Sequence, residues 1–217
     1  RTIAADYGVE VQDVLTGFKY IGDKIRQFKE DQDKSFIFGF EESYGYLAGT
    51  YARDKDAVVA SALAASMALY YKEQGLSVYE KMQELYEKYG YYDEDLESIR
   101  LEGKSGQEKI NGVLKEIREE QPREIAGRDV ICYKDIEKGE SINYQKQTTT
   151  EIDLPQSNVL QFFLEDDSLV TIRPSGTEPK LKIYFAVKES SHSEAEEKIE
   201  TIKNLVLDEI NSILEEL

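Results

Sequence analysis

Ser168-Leu169-Val170-Thr171-Ile172-Arg173-Pro174-Ser175-Gly176-Thr177-Glu178-Pro179-Lys180-Leu181-Lys182-Ile183-Tyr184-Phe185-Ala186-Val187 reads as two strands joined by a stiff polar bend. Both flanks carry the β-branched and aromatic residues that suit a pleated, half-buried surface. The bend is therefore held at both ends. Within it Arg173 offers a planar fork of donors matched to phosphate oxygens, Ser175 and Thr177 add hydroxyls, and Lys180 adds a point charge. Gly176 permits backbone angles closed to other residues, so successive N–H groups can turn inward as an anion nest. Pro174 and Pro179 restrict the bend beforehand, which lowers the entropy lost on binding. A bare Arg-Pro-Ser-Gly fits an ordinary hairpin turn with a solvated arginine equally well. The whole run is more specific, and it reads as a phosphate clamp.

Working outward, Asn158-Val159-Leu160-Gln161-Phe162-Phe163-Leu164 predicts a strand that pairs with residues 169–172 across Glu165-Asp166-Asp167-Ser168. Downstream, Ser193 with Glu196 predicts the start of a terminal helix whose Ile199, Ile202, Val206, Ile210, Ile213 and Leu217 form one apolar stripe. Upstream, the pattern predicts a strand over 96–101, a helix from Ser105 with Glu108 completing a capping box, and a strand over 129–133. The polar stretch 137–155 reads as an irregular surface excursion. Together these make a small α+β domain.

The first part of the chain has a different pattern. Val14, Phe18, Ile21, Ile25 and Phe28 recur at helical spacing, and Gly17 places the helix start after it. A short strand over 35–38 then delivers Glu41-Glu42-Ser43 to one end of a sheet, where open α/β folds usually bind ligands. Residues 57–71 are Ala-rich and apolar on most faces, which predicts a helix buried against a sheet, capped by Asp54 or Asp56. Ser77-Val78-Tyr79-Glu80 forms a capping box, and Gly90 supplies a stop. The domain boundary falls there, giving domains 1–89 and 90–217. Glu41 can accept hydrogen bonds from two neighbouring hydroxyls and Ser43 can both donate and accept, although a Glu-Glu-Ser turn taken by itself fits a solvated surface turn better. Lys55 and Lys19 are either ligand contacts or surface charges, and Gly17 can bring its backbone close to a ligand. His192, the one histidine, reads as a solvated residue at the last helix; Asp166 and Asp167 read as turn residues, not a metal site.

Composition narrows the classes. With 40% hydrophobic and 33% charged residues the chain has the make-up of a globular protein. A formal net charge of −17 excludes broad nucleic-acid binding, which needs clustered cations to release counterions. A phosphate ligand must instead meet a local basic pocket. No apolar run is long enough to span a membrane, and the single Cys132 can form no internal disulfide, so a cytoplasmic location is expected.

The run from Arg173 to Lys180 resembles the C-terminal phosphate-binding loop of the α-D-phosphohexomutases, the family containing phosphoglucomutase and phosphomannomutase. Phe38-Gly39-Phe40-Glu41-Glu42-Ser43-Tyr44-Gly45 resembles that family's sugar-recognition loop. Thr16-Gly17-Phe18-Lys19 is similar to the loop lying over the sugar ring, and Arg53-Asp54-Lys55-Asp56 to the charged segment after the sugar-reading loop. Phe40 stands where many members have glycine, and no histidine follows Ser43, so the preferred sugar stays open.

The resemblance implies an α/β remnant of a mixed-sheet mutase domain over 1–89, followed by a small α+β domain of the TATA-box-binding-protein-like type. It implies interconversion of hexose 1-phosphate and hexose 6-phosphate through a phosphoserine and a hexose bisphosphate intermediate. Gly17, Lys19, Glu41 and Ser43 would then contact the sugar. Arg173, Ser175, Gly176, Thr177 and Lys180 would hold phosphate, and Lys55 would act in catalysis. The family's phosphoserine loop and its Mg2+ loop have no counterpart in the sequence. The expectation is thus a C-terminal fragment, inactive alone, whose serine, Mg2+ and N-terminal domains lie outside the chain. Two alternatives stay open: a noncatalytic phosphosugar-binding module, and a mutase for phosphopentose or phosphoglucosamine.

Overall fold

Gly17, at φ +117°, ends an extended entry segment and lets the chain turn into its first long helix. The computed structural model describes residues 1–31, 34–41, 44–176 and 178–217, which divide into two units, Arg1–Tyr89 and Gly90–Leu217.

In the first unit a short helix α1 (Thr2–Asp6) precedes α2 (Phe18–Asp31), a hairpin of β1 (Phe38–Glu41) and β2 (Gly45–Ala48), then α3 (Ala57–Glu73) and α4 (Val78–Tyr89). The apolar stripe of α2 buries Phe18, Ile21 and Ile25 against Leu47 of β2, with Val14, Phe36 and Ala52 packed around them. The strand predicted over 35–38 lies instead at Phe38–Glu41, paired antiparallel with β2 from Phe38 opposite Ala48 to Glu41 opposite Gly45. Glycine is a poor strand former, so Gly39 hid the strand from propensity. Its place has a packing reason: a Cβ there would lie 2.8 Å from Ile21 Cγ2.

Asp56, not Asp54, caps α3, accepting the N–H groups of Val58 at 2.8 Å and Val59 at 3.0 Å. The predicted burial of this helix is not met within the unit. No α3 residue is buried, and Val58 is 81% and Leu69 59% exposed. A two-stranded hairpin is too small to cover a helix that is apolar all round. The Ser77–Glu80 box forms as expected: Ser77 Oγ accepts from Glu80 N, and Glu80 Oε2 accepts from Ser77 N.

The second unit is a wide antiparallel sheet covered on one face. Its elements are β3 (Tyr91–Arg100), α5 (Gly103–Glu120), β4 (Glu124–Ile125), β5 (Arg128–Asp135), β6 (Glu140–Asn143), β7 (Thr148–Glu151), β8 (Leu160–Leu164), β9 (Leu169–Pro174), β10 (Lys180–Glu189) and α6 (His192–Glu216). The strand order is β3-β10-β9-β8-β5-β6-β7, with β4 paired to β5. Alternation along β8, β9 and β10 buries Phe162, Val170, Ile172, Leu181, Ile183 and Phe185 against Ile110 and Leu114 of α5 and Ile202 and Val206 of α6. The other face carries Gln161, Thr171, Arg173, Lys182 and Tyr184.

Three expectations are corrected. Residues 137–155 contain an ordered hairpin, β6–β7, at the sheet edge; polar residues fill it because its strands lie largely uncovered, not because it lacks structure. Helix α5 begins at Gly103 with Glu102 as an N-cap that makes no side-chain cap bond, so Ser105 lies inside the helix. Ser191, not Ser193, caps α6, accepting from Glu194 N at 3.3 Å. Among the described residues no helix is long and apolar enough to cross a membrane.

The β8–β9 turn is pinned by Asp166, which accepts from Arg128 Nε at 2.7 Å and Ser168 N at 3.1 Å and pairs with Lys198 at 3.1 Å. Burial raises this carboxyl's pKa, but the bonds from Ser168, Lys198 and Arg128 outweigh it and hold the group below its ordinary value of 3.8. A depressed folded-state pKa adds stability that is full above the unfolded value and lost as pH falls through the folded one. Asp166→Asn is therefore expected to destabilise the chain at pH 7, with the deficit shrinking toward about pH 2. Urea unfolding at both pH values checks this, and a deficit independent of pH would refute it.

Candidate functional site

In the first unit, Val14, Leu15, Thr16, Gly17, Ile21, Phe40 and Glu41 line a cleft of about 160 Å3. The turn before α2 and the end of β1 thus meet, bringing Gly17 and Glu41 together across the intervening helix. The Glu41 side chain is only 8% exposed, and its Oε1 accepts a hydrogen bond from Lys55 Nζ. Gly45 makes this pairing possible. A Cβ at Gly45 would lie 2.8 Å from Glu41 Oε1 and 2.9 Å from Lys55 Cδ, so any larger residue would displace one partner. An ionised carboxylate has about four acceptor positions, so an ammonium on one oxygen leaves acceptors for hydroxyl groups.

The neighbouring charges have other tasks. Arg53 Nη1 donates to the carbonyls of Thr50 at 2.6 Å and Ala52 at 2.8 Å, bracing its own turn. Asp56, besides capping α3, accepts from Tyr51 Oη at 2.6 Å; that bond first, then the Val59 N–H, lowers its pKa. Lys19 sits with its ammonium 4.9 Å from the centre of the Tyr20 ring and does not line the cleft. Ser43 lies outside the described residues.

In the second unit Arg173 occupies β9 and Ser175 follows it. The bend is closed by Ser175 N donating to Lys180 O at 2.7 Å and Lys180 N donating to Glu178 O at 2.8 Å. The Arg173 guanidinium donates from Nε at 3.3 Å and Nη2 at 2.8 Å to Tyr184 Oη. Lys180 Nζ pairs with Glu178 at 2.8 Å, and that hydrogen bond, followed by the charge, lowers the Glu178 pKa. The point charge expected from Lys180 is thus already met by a carboxylate. Gly176 does not use positive φ, so the conformational reason advanced for it fails; instead a Cβ there would meet nothing within 4 Å, leaving open space over the bend. Thr177 lies outside the described residues.

Models of two consecutive domains match this chain. One, described as "Phosphoglucomutase/phosphomannomutase, alpha/beta/alpha domain III", covers residues 1–89, and the other, the C-terminal domain of the same enzymes, covers residues 99–203. The chain belongs to the phosphoglucomutase/phosphomannomutase family. Phosphoglucomutase of Staphylococcus saprophyticus is 36% identical over 206 residues, which is 94% of this chain and 37% of the relative. Phosphoglucomutase of Staphylococcus aureus (strain USA300) is 38% identical over 199 residues, 92% of this chain and 36% of the relative. The chain therefore spans little more than a third of the curated relatives it matches. A crystal structure of the Paramecium phosphoprotein pp63/parafusin in an open form, titled as a phosphoglucomutase, superimposes with a TM-score of 0.66 over 98% of this chain and 35% of its own, at 20% identity. That likeness concerns the fold.

Two residues of this family member escaped the sequence reading. Tyr184 could have been found from strand alternation, because β9–β10 pairing sets Thr171 opposite Tyr184 and Arg173 opposite Lys182, all on one face. Gly45 could not, because its role depends on a contact that only the hairpin register creates.

Proposed function

We propose that this chain is the phosphosugar-recognition part of a phosphoglucomutase/phosphomannomutase that interconverts hexose 1-phosphate and hexose 6-phosphate. The observation that carries the proposal is the convergence of Thr16, Gly17 and Glu41 on one cleft. Glu41 accepts from two sugar hydroxyls, with Ser43 beside it in sequence, while Gly17 lets backbone approach the ring. Lys19, on the first turn of α2, would have to swing from the Tyr20 ring to reach the ligand. Arg173, Ser175, Gly176 and Thr177 grip the phosphate that is not reacting, with Lys180 available once it leaves Glu178.

Moving a phosphoryl group between the two ends of one sugar through a bisphosphate requires the same hydroxyls to be read, and a phosphate to be held, in either orientation. Those are the tasks of this chain's residues. Lys55, placed on Glu41, carries the positive charge closest to the hydroxyl-reading carboxylate and serves to stabilise charge developing on a reacting oxygen. Among the described residues no group of three or more His, Cys, Asp or Glu is disposed to hold a metal ion. On this reading the phosphoserine and Mg2+ belong to polypeptide outside this chain. Mg2+ would supply charge neutralisation on the transferring group.

Titration of the 217-residue chain with glucose 6-phosphate, mannose 6-phosphate and inorganic phosphate tests this. Hexose phosphates are expected to bind more tightly than inorganic phosphate, and Glu41→Ala to remove about 1.5–3 kcal/mol of that margin while sparing phosphate itself. A Glu41→Ala chain that discriminates as the parent does would show that the cleft reads no sugar.

A further inference from the structure

We infer that Tyr184 is a positioning residue that presents Arg173 end-on to a phosphate group; the inference rests on the reading of the Arg173–Lys180 bend as a phosphate clamp. Arg173 and Tyr184 project from adjacent strands on the sheet face opposite α5 and α6, their chain neighbours Ile172 and Ile183 being buried in the core. The phenol oxygen accepts from both Nε and Nη2 of Arg173, at 3.3 and 2.8 Å, and the guanidinium carbon lies 5.4 Å from the ring centre. A guanidinium presents five N–H groups in fixed directions on one plane. With the Nε/Nη2 edge engaged by the phenol, the donors left for a ligand are those of the terminal edge, where Nη1 and Nη2 form a second fork that matches two phosphate oxygens.

The choice of acceptor is what makes this useful. A phenol is neutral, so it orients the guanidinium without cancelling its charge, and among the described residues Arg173 makes no ion pair. Lys180 is the contrast, since its ammonium is matched by the Glu178 carboxylate at 2.8 Å. Without the phenol, Arg173 would keep its charge but sample many rotamers, and each binding event would have to order them.

The test uses the 217-residue chain with inorganic phosphate and glucose 6-phosphate as probes, in the parent, Tyr184→Phe, Arg173→Ala and the double variant. Tyr184→Phe is expected to weaken phosphate binding about fivefold in the parent, within the range for lost hydrogen bonds, and to have no further effect once Arg173 is alanine. In nitrogen-15 spectra the Arg173 Nε–H signal should persist when phosphate is added to the parent and be lost to fast exchange in Tyr184→Phe. If Tyr184→Phe binds phosphate as well as or better than the parent while Arg173→Ala binds it poorly, Tyr184 is no positioning residue and the clamp stands. If Arg173→Ala leaves phosphate binding unchanged, the clamp itself is overturned.

Discussion

Arg173→Ala is expected to weaken binding of glucose 6-phosphate to this chain by about 1.5–3 kcal/mol, the range for hydrogen bonds to charged groups, which is roughly ten- to a hundredfold in the dissociation constant. The size of the effect depends on which cation near the bend is available. Lys180 is held by Glu178 at 2.8 Å, so phosphate must first displace a carboxylate to use it. Among the described residues, the Arg173 guanidinium meets the neutral Tyr184 phenol, at 2.8 and 3.3 Å. Its charge is therefore offset by no internal anion among the described residues. Truncating Lys180 should accordingly cost less than truncating Arg173, and Glu178→Gln should release Lys180 and tighten phosphate binding. The chain's formal charge of −17 raises the stakes, because the surrounding field opposes any anion and a local fork of donors must overcome it. Calorimetric titration at two salt concentrations measures the effect. Equal affinities for parent and Arg173→Ala would remove the bend from the binding site.

The strand–bend–strand at residues 168–187 was legible because each flank alternates strictly: β10 buries Leu181, Ile183, Phe185 and Val187 while their neighbours stay outside. A one-residue slip would turn that whole set to solvent, so pattern and register carry the same information. The apolar stripe of α6 was legible for the analogous helical reason. What stayed hidden depends on contacts between distant residues. Hairpin β1–β2 contains Gly39 and Gly45, both small because a helix side chain or an ion pair fills the space a Cβ would need. Propensity records only the glycine and not its neighbour. Strands β6 and β7 lack apolar alternation because they lie at an uncovered edge. Helix α3 shows the opposite case: its sequence asks for burial on every side, and the described residues of Arg1–Tyr89 do not supply it. Donor and acceptor types were readable at Glu41 in the first unit and at Arg173 and Ser175 in the second. Their pairing was not, since Lys55 on Glu41 and Tyr184 on Arg173 are decided by register and side-chain packing.

Arg118→Ala is expected to destabilise the second unit by about 3–5 kcal/mol, the largest effect anticipated from a single substitution here. Arg118 on α5 donates from Nε to Asp135 Oδ2 at 2.8 Å and from Nη2 to Asn158 Oδ1 at 2.7 Å, tying the helix to the end of β5 and the entry to β8. The Asp135 side chain is 1% exposed and that of Arg118 13%, so the pair lies out of water. Removing the guanidinium strands a buried charge. The other Asp135 oxygen keeps the N–H groups of Glu137 at 3.1 Å and Lys138 at 3.2 Å, while Lys138 Nζ stands 4.0 Å from Oδ2. Those contacts favour the lower half of the range. They also prescribe a control: Arg118→Met with Asp135→Asn removes both charges, keeps an acceptor for the two backbone N–H groups and fills part of the vacated volume, so it should recover most of the loss. Urea unfolding of parent, single and double variants decides it, with equal denaturant dependence confirming that stability alone has changed. A single variant within about 0.5 kcal/mol of the parent would mean that solvent reaches Asp135 freely. Because Arg118 and Asp135 take no part in the bend, the folded fraction of every variant should bind phosphate as the parent does, which separates loss of fold from loss of grip.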